Sequence, residues 1–227
     1  MQTFATPAPV SVVLDIPAGR VQFIAADRTD TTVDTRPADA SRSRDVKAAE
    51  EIRVAYGDGV LRIESPAAKN QLFGPSGSVE VTVQLPAGSR VEGKAAGAEF
   101  RGVGRLGDVT FESALGLVKL DEAASARLTL QSGDVSVGRL GGPAEISTQK
   151  GDLRITEAVR GTVTLRTQHG GIWVGAARGA SASLDAGTTY GRVHNALRNA
   201  DGAAAGAAAG LSIHATTAYG DITARSL

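Results

Sequence analysis

Gly133-Asp134-Val135-Ser136-Val137 returns as Gly151-Asp152-Leu153-Arg154-Ile155 and again as Gly220-Asp221-Ile222-Thr223. Weaker copies of the same corner and short alternating run are Gly116-Leu117-Val118-Lys119-Leu120, Gly170-Gly171-Ile172-Trp173-Val174 and Gly191-Arg192-Val193-His194-Asn195, with Ala98-Glu99-Phe100-Arg101 as the first. Taking each corner as position zero, the copies fall at 98, 116, 133, 151, 170, 191 and 220, at steps of 18, 17, 18, 19, 21 and 29. Self-similarity at a near-constant period is the mark of a solenoid, in which one supersecondary unit stacks on the next.

The columns of this alignment separate an inward from an outward face. Two positions after the corner stand Phe100, Val118, Val135, Leu153, Ile172, Val193 and Ile222, all apolar. Three positions after come Arg101, Lys119, Ser136, Arg154, Trp173, His194 and Thr223. The strand before the corner behaves alike: Val91, Val109, Ala126, Ala144, Val163, Leu184 and Ile213 stand seven back, with Glu92, Thr110, Arg127, Glu145, Thr164, Asp185 and His214 after them. Period-two alternation kept in register across every copy places one face in a core and the other in water. Three back, Ser113, Thr148, Thr167, Thr188 and Thr217 form a hydroxyl ladder suited to satisfying corner backbone groups. With strands about 4.8 Å apart, the repeat predicts an all-β fold, a β-helix-like β-solenoid of about seven two-strand coils, in a rod roughly 29 Å long.

Residues 1–90 read as a β-rich N-terminal cap and 91–227 as a β-solenoid repeat region continuous with it. Val10-Ser11-Val12-Val13-Leu14-Asp15-Ile16 and Val21-Gln22-Phe23-Ile24 flank a turn at Pro17-Ala18-Gly19, echoed by Pro86-Ala87-Gly88. Gly57-Asp58-Gly59 between two alternating runs predicts a hairpin. Residues 45–50 predict one or two helical turns capped near Ser43. Stretches 69–77 and 196–210, rich in Gly, Pro or Ala, read as loops.

Composition narrows the function. The 227 residues carry 24 Lys plus Arg against 24 Asp plus Glu, so no global field favours nucleic acid. Cysteine is absent, which removes disulfides, zinc-thiolate sites and thiol catalysis. Met1-Gln2-Thr3-Phe4-Ala5-Thr6-Pro7-Ala8-Pro9 has neither a basic nor an apolar leader segment, and no apolar run is long enough to span a bilayer. The expectation is a cytoplasmic protein without membrane insertion, a surface location requiring non-standard export.

The chain resembles a bacterial putative-adhesin family of β-strand-repeat domains of unknown function, of actinobacterial type. The resemblance rests on Phe4-Ala5-Thr6-Pro7, on Val83-Gln84-Leu85-Pro86-Ala87-Gly88-Ser89-Arg90-Val91, on the Gly-Asp-Val repeats, on Tyr190-Gly191-Arg192-Val193-His194-Asn195 and on Thr216-Thr217-Ala218-Tyr219-Gly220-Asp221-Ile222. It implies a β-solenoid fold and supplies no catalytic or ligand residues.

Outward-facing acids (Glu92, Glu112, Glu145, Asp185) and bases (Arg101, Lys119, Arg154, Arg166) are spread along the repeats with mixed sign, the pattern of a solvated face rather than of a paired-carboxylate site. Asp134, Asp152 and Asp221, with Glu99, sit just after the corners and read as turn acids bonding their own backbone. Ser147-Thr148-Gln149-Lys150 matches an S-x-x-K pattern but lies on a strand without partner motifs. His194 and His214 have no third ligand at metal spacing, so neither a metal nor another cofactor is expected. His169, Tyr190 and Tyr219 share the column before the corner, where stacking would align their rings about 4.8 Å apart. Trp173 stands in an outward column as an exposed indole.

These residues support a non-enzymatic interaction module presenting a ladder of Arg101, Lys119, Arg154, Trp173 and His194 to an unknown protein or glycan partner, with His169, Tyr190 and Tyr219 as a second strip. A carbohydrate-active enzyme or glycan binder on the same β-helix is the first alternative. A structural scaffold that self-associates through a terminal coil is the second.

Overall fold

Apolar residues recurring every second position leave each strand one face to bury, and the protein buries it by stacking strands in parallel register. The computed structural model describes residues 1–66, 77–198 and 210–227, so the two expected loops, 69–77 and 196–210, lie largely outside the described residues. The chain is all-β, with one short helix among the described residues, and divides into two compact units, Met1–Leu117 and Val118–Leu227.

The first unit contains β1 (Gln2–Ala5), β2 (Ser11–Ala26), β3 (Asp30–Pro37), α1 (Ser43–Glu51), β4 (Arg53–Gly57), β5 (Val60–Glu64), β6 (Val79–Pro86) and β7 (Arg90–Leu115). β2 is its centre. It pairs in parallel with β7 on one side, Val12 facing Val91 and Val21 facing Phe100. On the other side it pairs with β5 and β6, Val12 facing Leu61 and Val21 facing Val81. Pro17-Ala18-Gly19 is therefore not a hairpin turn but a corner inside one continuous strand. Gly19 has φ +135°, and a Cβ there would fall 1.8 Å from the Val79 carbonyl oxygen, so only glycine fits. Counted from Gly19, Val12, Leu14, Val21 and Phe23 occupy the columns of the repeat, which makes this a further copy that the sequence alignment missed.

The outer strands of this unit pair antiparallel with their neighbours. β3 lies antiparallel to β6 and β1 antiparallel to β3, while β4 and β5 form the expected hairpin around Asp58 (φ +50°) and Gly59 (φ +76°). α1 packs beside β3 and β6. It begins without the expected side-chain cap. Its buried Asp45 instead accepts the Ser78 backbone N–H at 3.0 Å, fixing the start of β6. Among the aliphatic side chains of the interior sits a ring cluster: Phe23, Phe100 and Phe111 are fully buried, with ring centroids 5.4 and 4.7 Å apart. Gly93 makes room for them, since a Cβ there would come within 2.9 Å of the Phe111 ring.

The second unit contains β8 (Val118–Ser132), β9 (Val135–Leu140), β10 (Ala144–Ser147), β11 (Leu153–Ala158), β12 (Gly161–His169), β13 (Ile172–Ala176), β14 (Ala182–Tyr190), β15 (Val193–Ala196), β16 (Leu211–Tyr219) and β17 (Ile222–Ser226). All its pairings are parallel. After the corner the ladder runs β8, β9, β11, β13, β17, β15, so Val118, Val135, Leu153, Ile172, Ile222 and Val193 align. Before the corner it runs β8, β10, β12, β16, β14. The predicted columns are in place, but the rungs do not stack in chain order. The β16–β17 rung slots between β12–β13 and β14–β15, although it follows both in sequence. The physical reason lies in the inward column. An interior rung needs apolar groups there, and Ile213, Ala215, Ile222 and Ala224 are at most 1% exposed. β14–β15 brings Asn195 to the same column, and at the outer position that amide stays in contact with water and accepts the Leu197 N–H.

Backbone devices hold these rungs together. Corner glycines 133, 151, 170 and 220 have φ between +142° and +152°. A Cβ on Gly170 would lie 2.0 Å from the Gly151 carbonyl oxygen. The hydroxyl ladder serves the corners as expected: Thr167, Thr217 and Thr188 donate at 3.0 Å to the carbonyls of Gly151, Gly170 and Gly220 in the neighbouring rungs. The corner acids do not bond their own backbone. Asp134 accepts the Asp152 N–H at 2.8 Å, Asp152 the Gly171 N–H at 2.7 Å and Asp221 the Arg192 N–H at 2.8 Å, each tying its rung to the next.

Candidate interaction surface

Parallel register turns each outward column of the second unit into a row of side chains. Three residues past the corner the row reads Lys119, Ser136, Arg154, Trp173, Thr223, His194. Within this unit the row holds Lys119, Arg154, Trp173 and His194 of the residues expected on one ladder, with Ser136 and Thr223 interleaved. Arg101 belongs to the first unit, where it faces Gln22 of β2.

Trp173 is not the exposed indole that its column suggested. It is half-buried, with the Arg154 guanidinium carbon 4.3 Å from the ring centroid and that of Arg225 4.8 Å away, on the strands to either side. Both π-faces are thus engaged, in contacts worth about 0.5–1 kcal/mol each at exposed sites. A flat ligand cannot lie on this indole without displacing an arginine. What the group offers is two positioned guanidiniums and an indole edge. Sequence reasoning missed Arg225, which sits five residues past its corner; the signal was its place two residues beyond Thr223, beside Trp173 across the strand.

The second row lies just before the corner. Lys150 bridges to His169, which pairs with Tyr219, which pairs with Tyr190. The rings stack at 4.9 Å with 8° between planes in both contacts. The expected line of three rings is present, ordered His169, Tyr219, Tyr190 because of the inserted rung. Tyr190 is 63% and Tyr219 50% exposed.

On the outward face of the pre-corner strands, Ser212 Oγ lies 3.3 Å from His214 Nε2 and His214 Nδ1 lies 3.3 Å from Asp185 Oδ2. The order of groups is that of a serine-nucleophile triad. Asp185 is 84% exposed, however, so water screens the pair and the imidazole is not held in the low-dielectric setting that activates such a hydroxyl. Arg127 and Glu145 continue the same column as an ion pair at 3.6 Å, both exposed. Among the described residues no group of three or more His, Asp or Glu side chains is arranged to hold a metal ion, and no helix is long and apolar enough to cross a membrane. The carboxyls held below their usual range lie elsewhere: Asp30 by the hydrogen-bonded Arg28 guanidinium and Asp39 by the Ser41 hydroxyl, both at the surface of the first unit.

The family described as Toastrack DUF4097 matches residues 10–225, and the chain belongs to it. No curated protein matches the sequence. Solved structures similar to it include a putative cell adhesion protein from Clostridium sporogenes, at 12% identity and a TM-score of 0.43, covering 100% of this chain and 98% of that one. A putative adhesin from Bacteroides fragilis is 14% identical with a TM-score of 0.44, covering 98% and 95%. A putative lipid binding protein from Parabacteroides distasonis is 10% identical with a TM-score of 0.44, over the same shares.

Proposed function

We propose, starting from the chain's membership of the Toastrack DUF4097 family, that it is a non-enzymatic, adhesin-like β-solenoid module that captures a protein or glycan partner on its side-chain rows. The observation that carries this reading is the Arg154–Trp173–Arg225 stack. Its members are fixed by strand register and ring contact, so little rotamer freedom remains to be lost on binding. Arginine and tryptophan are also the side chains that most often anchor interfaces. The guanidiniums would meet carboxylate, sulfate or phosphate groups of the partner, with Lys119 and His194 extending the row.

The test is capture from bacterial lysate by wild type, Trp173→Ala and Arg154→Ala, with circular dichroism to confirm that the strands persist. A partner retained by wild type and lost by both variants supports the reading. Equal capture by all three would move the contact to another face, and no specific capture would remove the stack as a docking site.

A further inference from the structure

Beyond that reading, we infer that the outer edge of β14 is a self-pairing surface, joining two copies of this chain antiparallel about Ala186. Among the described residues β14 pairs with β16 only. The Leu211 N–H donates to the Ser181 carbonyl at 3.0 Å. Parallel pairing alternates along a strand, so Ala182, Leu184, Ala186 and Thr188 turn their own N–H and C=O groups toward the other edge, where no described strand lies. Exposed edges are normally blunted by short length, proline or lysine. Ala182-Ser183-Leu184-Asp185-Ala186-Gly187-Thr188-Thr189-Tyr190 has none of these: it is nine residues long and carries a single charge.

The sequence of the edge selects a second copy as its occupant. With Ala186 facing itself, Leu184 faces the second copy's Thr188, Ser183 its Thr189 and Ala182 its Tyr190. Asp185 faces the second copy's Gly187, so the one charge on the strand meets no like charge. Each cross-strand pair is thereby a compatible one. The exposed ring of Tyr190 comes to lie over a small residue. The pairing is isologous and closes at two copies.

Gly187 supplies the test, because a Cβ there has nothing within 4 Å and its substitution leaves the rung intact. Gly187→Asp sets a carboxylate opposite Asp185 twice per dimer, and Gly187→Lys sets an ammonium there. Sedimentation equilibrium of the full chain from about 1 to 200 µM is expected to show a wild-type monomer–dimer equilibrium. Gly187→Asp should weaken it about tenfold and Gly187→Lys hold or tighten it, a difference that shrinks in high salt. A wild type that stays monomeric throughout overturns the inference. So does a dimer whose dissociation constant is the same in both variants, which would place the contact elsewhere.

Discussion

The Met1–Leu117 unit and the Val118–Leu227 unit hold parallel rungs by different means. The first sets a cluster of three phenylalanine rings among its aliphatic core residues and finishes its outer strands with antiparallel partners. Its outermost strands are short: β1 has four residues and runs toward Pro7 and Pro9, and β4 has five and opens on Arg53. The second has an aliphatic interior and relies on glycine corners, threonine hydroxyls and aspartate side chains that bond from rung to rung. Its outermost rung leaves one edge of the nine-residue β14 without a strand partner among the described residues. Bulk suits a unit with irregular insertions, where few rungs repeat closely enough for a ladder. Repeated backbone bonds suit a unit in which every rung has the same shape.

That contrast can be broken most severely at a corner. Gly170→Ala forces a Cβ against the Gly151 carbonyl at a φ that alanine avoids, and is expected to cost above about 4 kcal/mol. Hydrogen exchange should show the loss of protection in residues 118–227; loss confined to 1–117 would contradict the rung-to-rung account. Phe100→Ala is the corresponding blow to the first unit. It empties the middle of the ring cluster and should cost about 3 kcal/mol or more by urea titration. A cost near zero would mean that the cluster is not what holds that unit.

A finer comparison lies within the second unit. Ala224 and Asn195 occupy the same column in adjacent rungs, one buried and one exposed. Ala224→Asn should cost about 2 kcal/mol, the penalty of a buried amide without a partner, and Asn195→Leu less than about 0.5 kcal/mol. Equal effects of the two changes would show that the rung order is not governed by this column.

Much of this was legible. The aligned apolar columns, the threonine ladder and the ring column follow from counting back and forth from each glycine, because parallel stacking repeats the side-chain pattern without offset. The order of rungs was not, since columns that are interchangeable along the sequence say nothing about which rung neighbours which. Two local signs pointed to the insertion: the step of 29 before Gly220 and the polar Asn195 in an apolar column. The Gly19 copy escaped because residues 27–87 intervene before the next rung, which hides the period. Trp173 was misjudged for a different reason. A column assigns a direction to a side chain, but not the long neighbours that reach over it from adjacent strands, and Arg154 and Arg225 both do.

The inserted rung also sets a schedule for the chain. As the protein is synthesised, the β14–β15 segment emerges first, yet its native neighbour does not exist until residues 211–226 have been made. The edge of β12 and β13 must stay vacant meanwhile, and any early docking of β14–β15 onto it has to be undone. Contacts separated by so much chain are slow to close. The final pair of rungs therefore assembles as one late event, and a nascent chain halted before residue 211 would lack not one rung but two.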